Sequence, residues 1–334
     1  MEDFYEDMAT IDEWMYEANL LQYRADGISP VANFDAKKMC NAMAEPRGQN
    51  GTHRSASWAA DNLGYTLKKE VVELDDEPFI IRDRNNVTLL VNLPGAFNPV
   101  KVQAYMKLLK LLAVAVKLST CQADKKGCSR GYIHREGHVE GCVNMAYAWV
   151  PLLKPKTAQA PSAGIINGGK TPSVTKTAVA FASIQQHLKD TRFVSTLLNY
   201  ILYRVQPDSF WAYVKASSRL RQKIPAAVAV ATHDPALSSG KSVIYNWSTH
   251  LHFNNKEAPE GWSILVVMGD CTTGFLSLPW LGIKFKYLPG SVVLLRGGLL
   301  DHEVVGWDGE GDRICIAHFN HIDEWSSVNV SPPL

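Results

Sequence analysis

The spacing of apolar positions divides the chain into a mainly helical first part and a strand-rich last third. Met1–Gln22 sets Phe4, Met8, Ile11, Met15 and Leu20 at helical spacing among acidic residues, which predicts a helix packed on the main body or a frayed arm. Residues 25–60 are rich in Gly, Ala and Asn with little periodicity and read as partly disordered loop. Glu77–Pro94 reads as a hairpin, with Phe79–Ile81 and Val87–Val91 flanking a turn at Asn85-Asn86. Pro99–Leu118 predicts an amphipathic helix with proline at its start, and most of Lys101, Lys107, Lys110 and Lys117 lie off its apolar stripe. Thr177–Lys223 predicts three helical segments, to about Leu188, from Thr191 to Val205 and from Pro207 to Arg221. Ala226–Thr232 (AAVAVAT) reads as a buried strand. From Val243 to Asn320 the pattern is one of short strands, Trp262–Gly269, Gly274–Leu278, Ile283–Tyr287 and Ser291–Leu295. Gly269-Asp270, Pro279, Pro289-Gly290 and Gly297-Gly298 punctuate them. That regular spacing predicts an antiparallel barrel or jelly roll, and with the helices an α+β fold.

The strand region also carries the candidate chemistry. On a regular strand His250 and His252 point to one face and can aim into one cavity. Neutral imidazoles suit iron, copper, nickel or zinc. Closing the barrel could bring His302 beside them, and Arg313 would face inward one strand further on. A guanidinium there is suited to grip a carboxylate with two parallel hydrogen bonds.

The order His-x-(Asp)…His…Arg resembles the double-stranded β-helix of Fe(II)/2-oxoglutarate dioxygenases. The finer texture resembles the Tet/JBP-like branch and its expanded fungal members: Thr249-His250-Leu251-His252-Phe253-Asn254-Asn255 before Gly261-Trp262, Pro289-Gly290-Ser291 before an apolar strand, Leu299-Leu300-Asp301-His302, and Gly311-Asp312-Arg313 before a last strand. The resemblance is fullest over Pro225–Asn320 and thinner over Pro78–Lys223. It implies a jelly-roll, cupin-like core flanked by helices. It also implies Fe(II) held by His250, His252 and His302, 2-oxoglutarate gripped by Arg313, O2 as co-substrate, and a methylated DNA base such as 5-methylcytosine as substrate. The family has Asp two residues after its first metal His, where this chain has His252. Three readings follow: a working three-His site, an altered site that binds metal without oxidising anything, or a site that recruits a carboxylate such as Asp301. A further register pairs His252 with Asn254. Cys315 stands where Tet-type members often carry Ser, which touches the co-substrate grip.

Composition is that of a globular protein, 46% apolar and 20% charged over 334 residues, with a net charge of +1. Residues 1–80 hold 16 acidic and 7 basic residues, whereas 151–225 hold 11 basic residues and only Asp190 and Asp208. The basic stretch fits either a polyanion partner such as DNA or pairing with the acidic N-terminus. Lys170, Asn254, Arg219 and Arg221 are the candidate substrate or DNA contacts. Six cysteines and no apolar run of about eighteen residues predict a reduced, intracellular protein that spans no membrane, nuclear if DNA is its substrate. The sequons at Asn50, Asn86 and Asn246 are then not expected to be glycosylated. Cys121, Cys128, His134, His138 and Cys142 include enough ligands for a structural zinc, although their spacing matches no standard finger. Gly164–Thr171 fits the P-loop pattern, but a linker precedes it and Pro172 follows, so the strand and helix that a P-loop needs are missing. His318 and His321 read as strand-end residues.

The expected organisation is an acidic extension at 1–76 and a dioxygenase-like domain at 77–325, with helical support at 99–223 and a β-helix core at 225–320. A tail follows at 326–334. The rival functions are an inactive dioxygenase-fold protein that binds nucleic acid or a partner, and an oxygenase acting on a small molecule or a protein.

Overall fold

A computed structural model describes residues 2–28, 34–47, 52–68, 70–119, 133, 135–149, 159–169 and 174–334. Its helices are α1 (Glu2–Leu20), α2 (Ala25–Ile28), α3 (Ala36–Ala44), α4 (Ala56–Leu63), α5 (Pro99–Ala115), α6 (Ala163–Asn167), α7 (Val174–Asp190), α8 (Arg192–Val205), α9 (Pro207–Lys223), α10 (Pro225–His233) and α11 (Ile322–Ser327). Its strands are β1 (Gln22–Arg24), β2 (Pro46–Arg47), β3 (Thr52–His53), β4 (Val72–Glu73), β5 (Phe79–Arg82), β6 (Thr88–Leu93), β7 (Gly141–Ala146), β8 (Gly240–Tyr245), β9 (Ser263–Gly269), β10 (Phe275–Leu278), β11 (Ile283–Lys286), β12 (Val292–Leu295), β13 (Glu303–Val305) and β14 (Arg313–Phe319).

The major sheet runs β1-β5-β6-β12-β9-β14-β8-β7 and the minor sheet β13-β10-β11-β4. The last third of the chain alternates between them: β8 major, the His252 bridge to His302 minor, β9 major, β10 and β11 minor, β12 major, β13 minor, β14 major. This is the winding of a double-stranded β-helix, and with its flanking helices the fold is α+β.

Period-two side-chain direction explains why the central strands read as continuous apolar runs. Ile264, Val266, Val292, Leu294, Ile314 and Ile316 join the cluster under the helices, while Leu265, Val267, Val293, Leu295 and Cys315 join the cluster between the sheets. Both faces are covered, so each such Val, Leu or Ile contributes roughly 1.5–3 kcal/mol. The helix α5 starts as expected: Asn98 accepts from Lys101 N (3.0 Å) and Pro99 occupies the first turn. It lies on the major sheet, where Tyr245 donates its hydroxyl to Leu109 O (2.7 Å).

Three expectations change. Ala226–Thr232 is not a strand but part of α10, which packs on α7 and α9. Pro225 at its first turn and its alanines favour helix, and a short apolar run cannot be told from a strand by periodicity. Residues 25–60 are not all loop. Asp35 caps α3 through Lys38 N (2.9 Å), Ser55 caps α4 through Trp58 N (3.2 Å), and Gly64 closes α4 with φ +75°. Buried Phe34, Met39 and Ala59 tie these helices to the cluster between the sheets. An unexpected strand, β7, pairs with β8 at the sheet edge.

The acidic N-terminal helix pairs with basic helices. Asp12 accepts from Arg204 Nε (2.7 Å) and from Tyr200 (2.8 Å), and Asp7 pairs with Lys101. Among the described residues no helix is long and apolar enough to cross a membrane.

Candidate active site

His302, the residue before β13, faces His252 across an isolated antiparallel bridge, with His252 N to His302 O at 3.1 Å and His302 N to His252 O at 3.0 Å. Their ring centroids are 4.3 Å apart. His252 Nδ1 lies 2.8 Å from His250 O and His302 Nδ1 lies 3.1 Å from Leu300 O. A carbonyl accepts only from a protonated nitrogen, so both rings carry hydrogen on Nδ1 and leave a lone pair on Nε2. Two adjacent imidazoles in that tautomer are oriented as metal ligands. Burial, then the neighbouring His252, pulls His302 down to about 3, and burial also lowers His252. Both rings are therefore neutral at pH 7.

His250 does not join them. Val304 N bonds to Thr249 O (2.8 Å), while His302 pairs with His252. Three steps on one strand thus oppose two on the other, which is a β-bulge at 250–251. The bulge breaks the alternation that would have set His250 and His252 on one face, and the His250 side chain is exposed. Asp301 turns another way: its Oδ1 accepts from Trp280 N (3.4 Å) and its Oδ2 has no partner. Burial pushes that carboxyl up to about 7. Among the described residues no three His, Cys, Asp or Glu side chains gather where they could hold one ion.

Asn254 lies two residues beyond His252, in the turn that leads to β9. Its Nδ2 donates to Ser263 Oγ (3.0 Å). Ser263 Oγ in turn donates to Glu257 Oε2 (2.5 Å). Burial pushes Glu257 up to about 8, against the opposing pull of Ser263 and Asn254. Sequence reasoning did not single out Glu257 or Ser263, because the turn that joins them to Asn254 has no strand or helix period.

On the facing wall, Arg313 shares the inward side of β14 with Cys315. Its side chain is 2% exposed and its guanidinium carbon sits 4.9 Å from the Tyr287 ring centroid. Nη1 donates to Trp247 O (3.1 Å), but Nε and Nη2 have no partner. A buried cation with two unpaired donors is costly unless an anion meets it. A carboxylate, with two acceptor oxygens, fits that fork. Cys315 takes up Tyr287, whose hydroxyl lies 3.4 Å from Sγ.

The other candidates are placed as follows. Arg219 Nη1 donates to Val328 O (2.7 Å) and Asn329 O (3.0 Å), which ties down the C-terminal segment. Arg221 lines a cleft of 360 Å³ with Val214 and Leu237, on α9 and away from the histidine pair. Lys170, Cys121, Cys128 and His134 lie outside the described residues. His138 meets Asp312 (2.8 Å), and Cys142 lies in β7. His318 points to the helix side of β14, opposite Lys241 on β8, where burial holds it near 3.

Residues 163–322 match the model of the Tet/JBP oxygenase domain of the 2OGFeDO superfamily. No curated protein matches the chain significantly. Among solved structures the chain is similar to NgTET1, crystallised with 5mC DNA, at 12% identity and a TM-score of 0.47, covering 87% of this chain and 92% of that one. It is also similar to the rice dioxygenase for auxin oxidation, at 14% identity and a TM-score of 0.32 over 70% and 73%. AtDAO1 of Arabidopsis thaliana, solved with 2-oxoglutarate, stands at 9% identity and a TM-score of 0.32 over 80% and 90%.

Proposed function

We propose, from the premise that residues 163–322 form a Tet/JBP-type oxygenase domain of the 2OGFeDO superfamily, that this protein is an Fe(II)/2-oxoglutarate-dependent dioxygenase acting on a methylated base in DNA. The observation that carries the reading is Arg313. It is a buried guanidinium with two unpartnered donors, on the wall of the β-helix that faces the paired His252 and His302.

The residues divide the work. His252 and His302 offer Nε2 to the metal, each fixed by its Nδ1 hydrogen bond to a backbone carbonyl. Arg313 receives the distal carboxylate of 2-oxoglutarate, held flat by Tyr287 and anchored through Trp247 O. The apolar lining between the sheets, Leu265, Val267, Leu295 and Leu300 among it, keeps water out. Fe(II) with 2-oxoglutarate and O2 supplies the oxidising chemistry that no side chain can.

DNA is the substrate class favoured by the family match, and the likeness to NgTET1, itself solved with 5mC DNA, points the same way. A base in a duplex must be flipped out to reach a site at this depth. The test is succinate release with and without 5-methylcytosine-containing duplex. Stimulation by methylated DNA supports the reading. Uncoupled turnover indifferent to DNA would move the substrate to a small molecule or a protein. One observation favours a non-catalytic alternative: among the described residues no third His, Cys, Asp or Glu gathers beside the pair. Folded protein that releases no succinate under any condition would establish it.

A further inference from the structure

The wall that presents Arg313 is fixed from its outer side. Asp312, the residue before it, is buried and turns its carboxylate towards α5, where it collects three donors. They are Lys110 Nζ of α5 (2.5 Å), His138 Nδ1 (2.8 Å) and Asn246 Nδ2 (2.9 Å). The geometry points to Asp312 as a positioning residue for the dicarboxylate: it locks the Asn246-Trp247 turn that aims the Arg313 guanidinium. The inference rests on the reading of Arg313 as the partner of the distal carboxylate of 2-oxoglutarate.

Asn246 follows β8 with φ +53°, the left-handed backbone of a turn. Its amide is fully used. Oδ1 accepts from Arg313 N (2.7 Å), and Nδ2 donates to Val139 O (2.8 Å) and to Asp312 Oδ1 (2.9 Å). Asn246 N also donates to Arg313 O (2.8 Å), so both backbone groups of Arg313 are held. The next carbonyl, Trp247 O, takes Arg313 Nη1 (3.1 Å). One turn therefore holds the arginine at its backbone and at its tip. Asp312 grips that turn with a charged acceptor, the stronger kind of hydrogen bond. Its own backbone is pinned as well: Asp312 N donates to Asp270 Oδ1 (2.6 Å), and Asp312 O accepts from Asp270 N (3.0 Å) and Cys271 N (3.2 Å).

The three donors also settle a conflict of charge. A carboxylate next in sequence to the binding arginine is an internal rival for it. Burial pushes the Asp312 carboxyl up, but the hydrogen bonds from Lys110 and Asn246 outweigh it and hold the group below its usual range. Asp312 is thus ionised and already satisfied, while Nε and Nη2 of Arg313 have no partner. A residue that only stabilised the fold would matter equally for every 2-oxo acid. One that aims Arg313 matters only for acids with a distal carboxylate.

The test compares 2-oxoglutarate with 2-oxobutyrate, which lacks the distal carboxylate. Each is titrated by calorimetry into the full chain with Mn(II) present, and circular dichroism shows that each variant is folded. The wild type should bind 2-oxoglutarate about a hundredfold tighter than 2-oxobutyrate. Asp312→Ala should weaken 2-oxoglutarate about tenfold and leave 2-oxobutyrate unchanged. Asp312→Asn keeps an acceptor for Asn246 Nδ2 and should recover most of that loss. Asn246→Gly suits the left-handed backbone and should lose the same discrimination, so the prediction stands even where Asp312→Ala does not fold. Adding Asp312→Ala to Asn246→Gly should cost nothing further, because both act through one turn. Equal weakening of the two acids, or no change, in folded Asp312→Ala or Asn246→Gly overturns the inference and leaves Arg313 its role. A wild type that binds the two acids alike, or neither, overturns both.

Discussion

Two buried arginines, Arg296 after β12 and Arg313 opening β14, stand at opposite ends of the same β-helix. Leu295 pairs with Ser263 at the start of β9, and Arg313 pairs with Gly269 at its end. Each guanidinium stacks on an aromatic ring, Trp262 at 4.4 Å and Tyr287 at 4.9 Å. Their hydrogen bonds differ. Arg296 reaches Thr88 O (2.7 Å), Glu260 O (2.5 Å) and Pro333 O (3.4 Å), joining β6, the turn before β9 and the C-terminus. Arg313 reaches one carbonyl. A buried cation that binds three chain segments is an architectural clamp. One with two idle donors is shaped for something the chain does not supply.

The sharpest break of that comparison is Arg296→Ala, which leaves three carbonyls without their donor and a void beside Trp262. Chemical denaturation should show a loss of about 3–5 kcal/mol. Asp234→Ala should cost a similar amount, because it strands Lys241, 5% exposed and paired to Asp234 at 2.8 Å on the helix side of the sheet. Arg313→Met should do the reverse: unfolding free energy within about 1 kcal/mol of wild type, but 2-oxoglutarate affinity down about a hundredfold, the worth of two charge-assisted hydrogen bonds. If Arg313→Met unfolds the protein and Arg296→Ala does not, the roles are exchanged.

Stability against pH sharpens the picture further. Burial holds His187, His302 and His318 near 3 against an ordinary 6.5. Between those values the unfolded chain binds more protons than the folded one, so stability falls as pH drops below about 6.5. Burial raises Glu257 and Glu324 to about 8 from 4.5. There the folded chain holds more protons, and stability falls as pH rises from 4.5 to 8. Thermal melts should therefore peak near about pH 6. Glu324→Gln, beside Ser239 and remote from Arg313, should flatten the alkaline limb by about 1.4 kcal/mol per pH unit. The smallest effect belongs to the surface. Asp12 and Arg204 are 43% and 44% exposed, and removing either should cost below about 1 kcal/mol in the same melts.

The strands of the β-helix were legible in the sequence as short Val/Ile/Leu runs cut by Gly and Pro, as in Ser291–Leu295 between Pro289-Gly290 and Gly297-Gly298, while their winding came from the family resemblance. The inward direction of Arg313 followed from the same period. What stayed hidden depends on contacts distant in sequence. The bulge at 250–251 appears only when β13 is laid beside it, so an i, i+2 rule wrongly gave His250 and His252 one face. Ala226–Thr232 is long enough for a strand and too uniform to show a helical stripe. The helices α3 and α4 are set by single capping residues inside a weakly patterned stretch. Arg296 carried no signal, since an arginine between Leu295 and Gly297 reads as a turn residue until the three carbonyls around it are known.

The central claim is that Arg313 and the His252–His302 pair act as one site. Anaerobic addition of Fe(II) and then 2-oxoglutarate to the wild type should produce the weak visible band of an iron–2-oxo acid chelate, and Arg313→Met should require far more 2-oxoglutarate to reach it. A band that forms equally in both proteins, or in neither while both are folded, would contradict it.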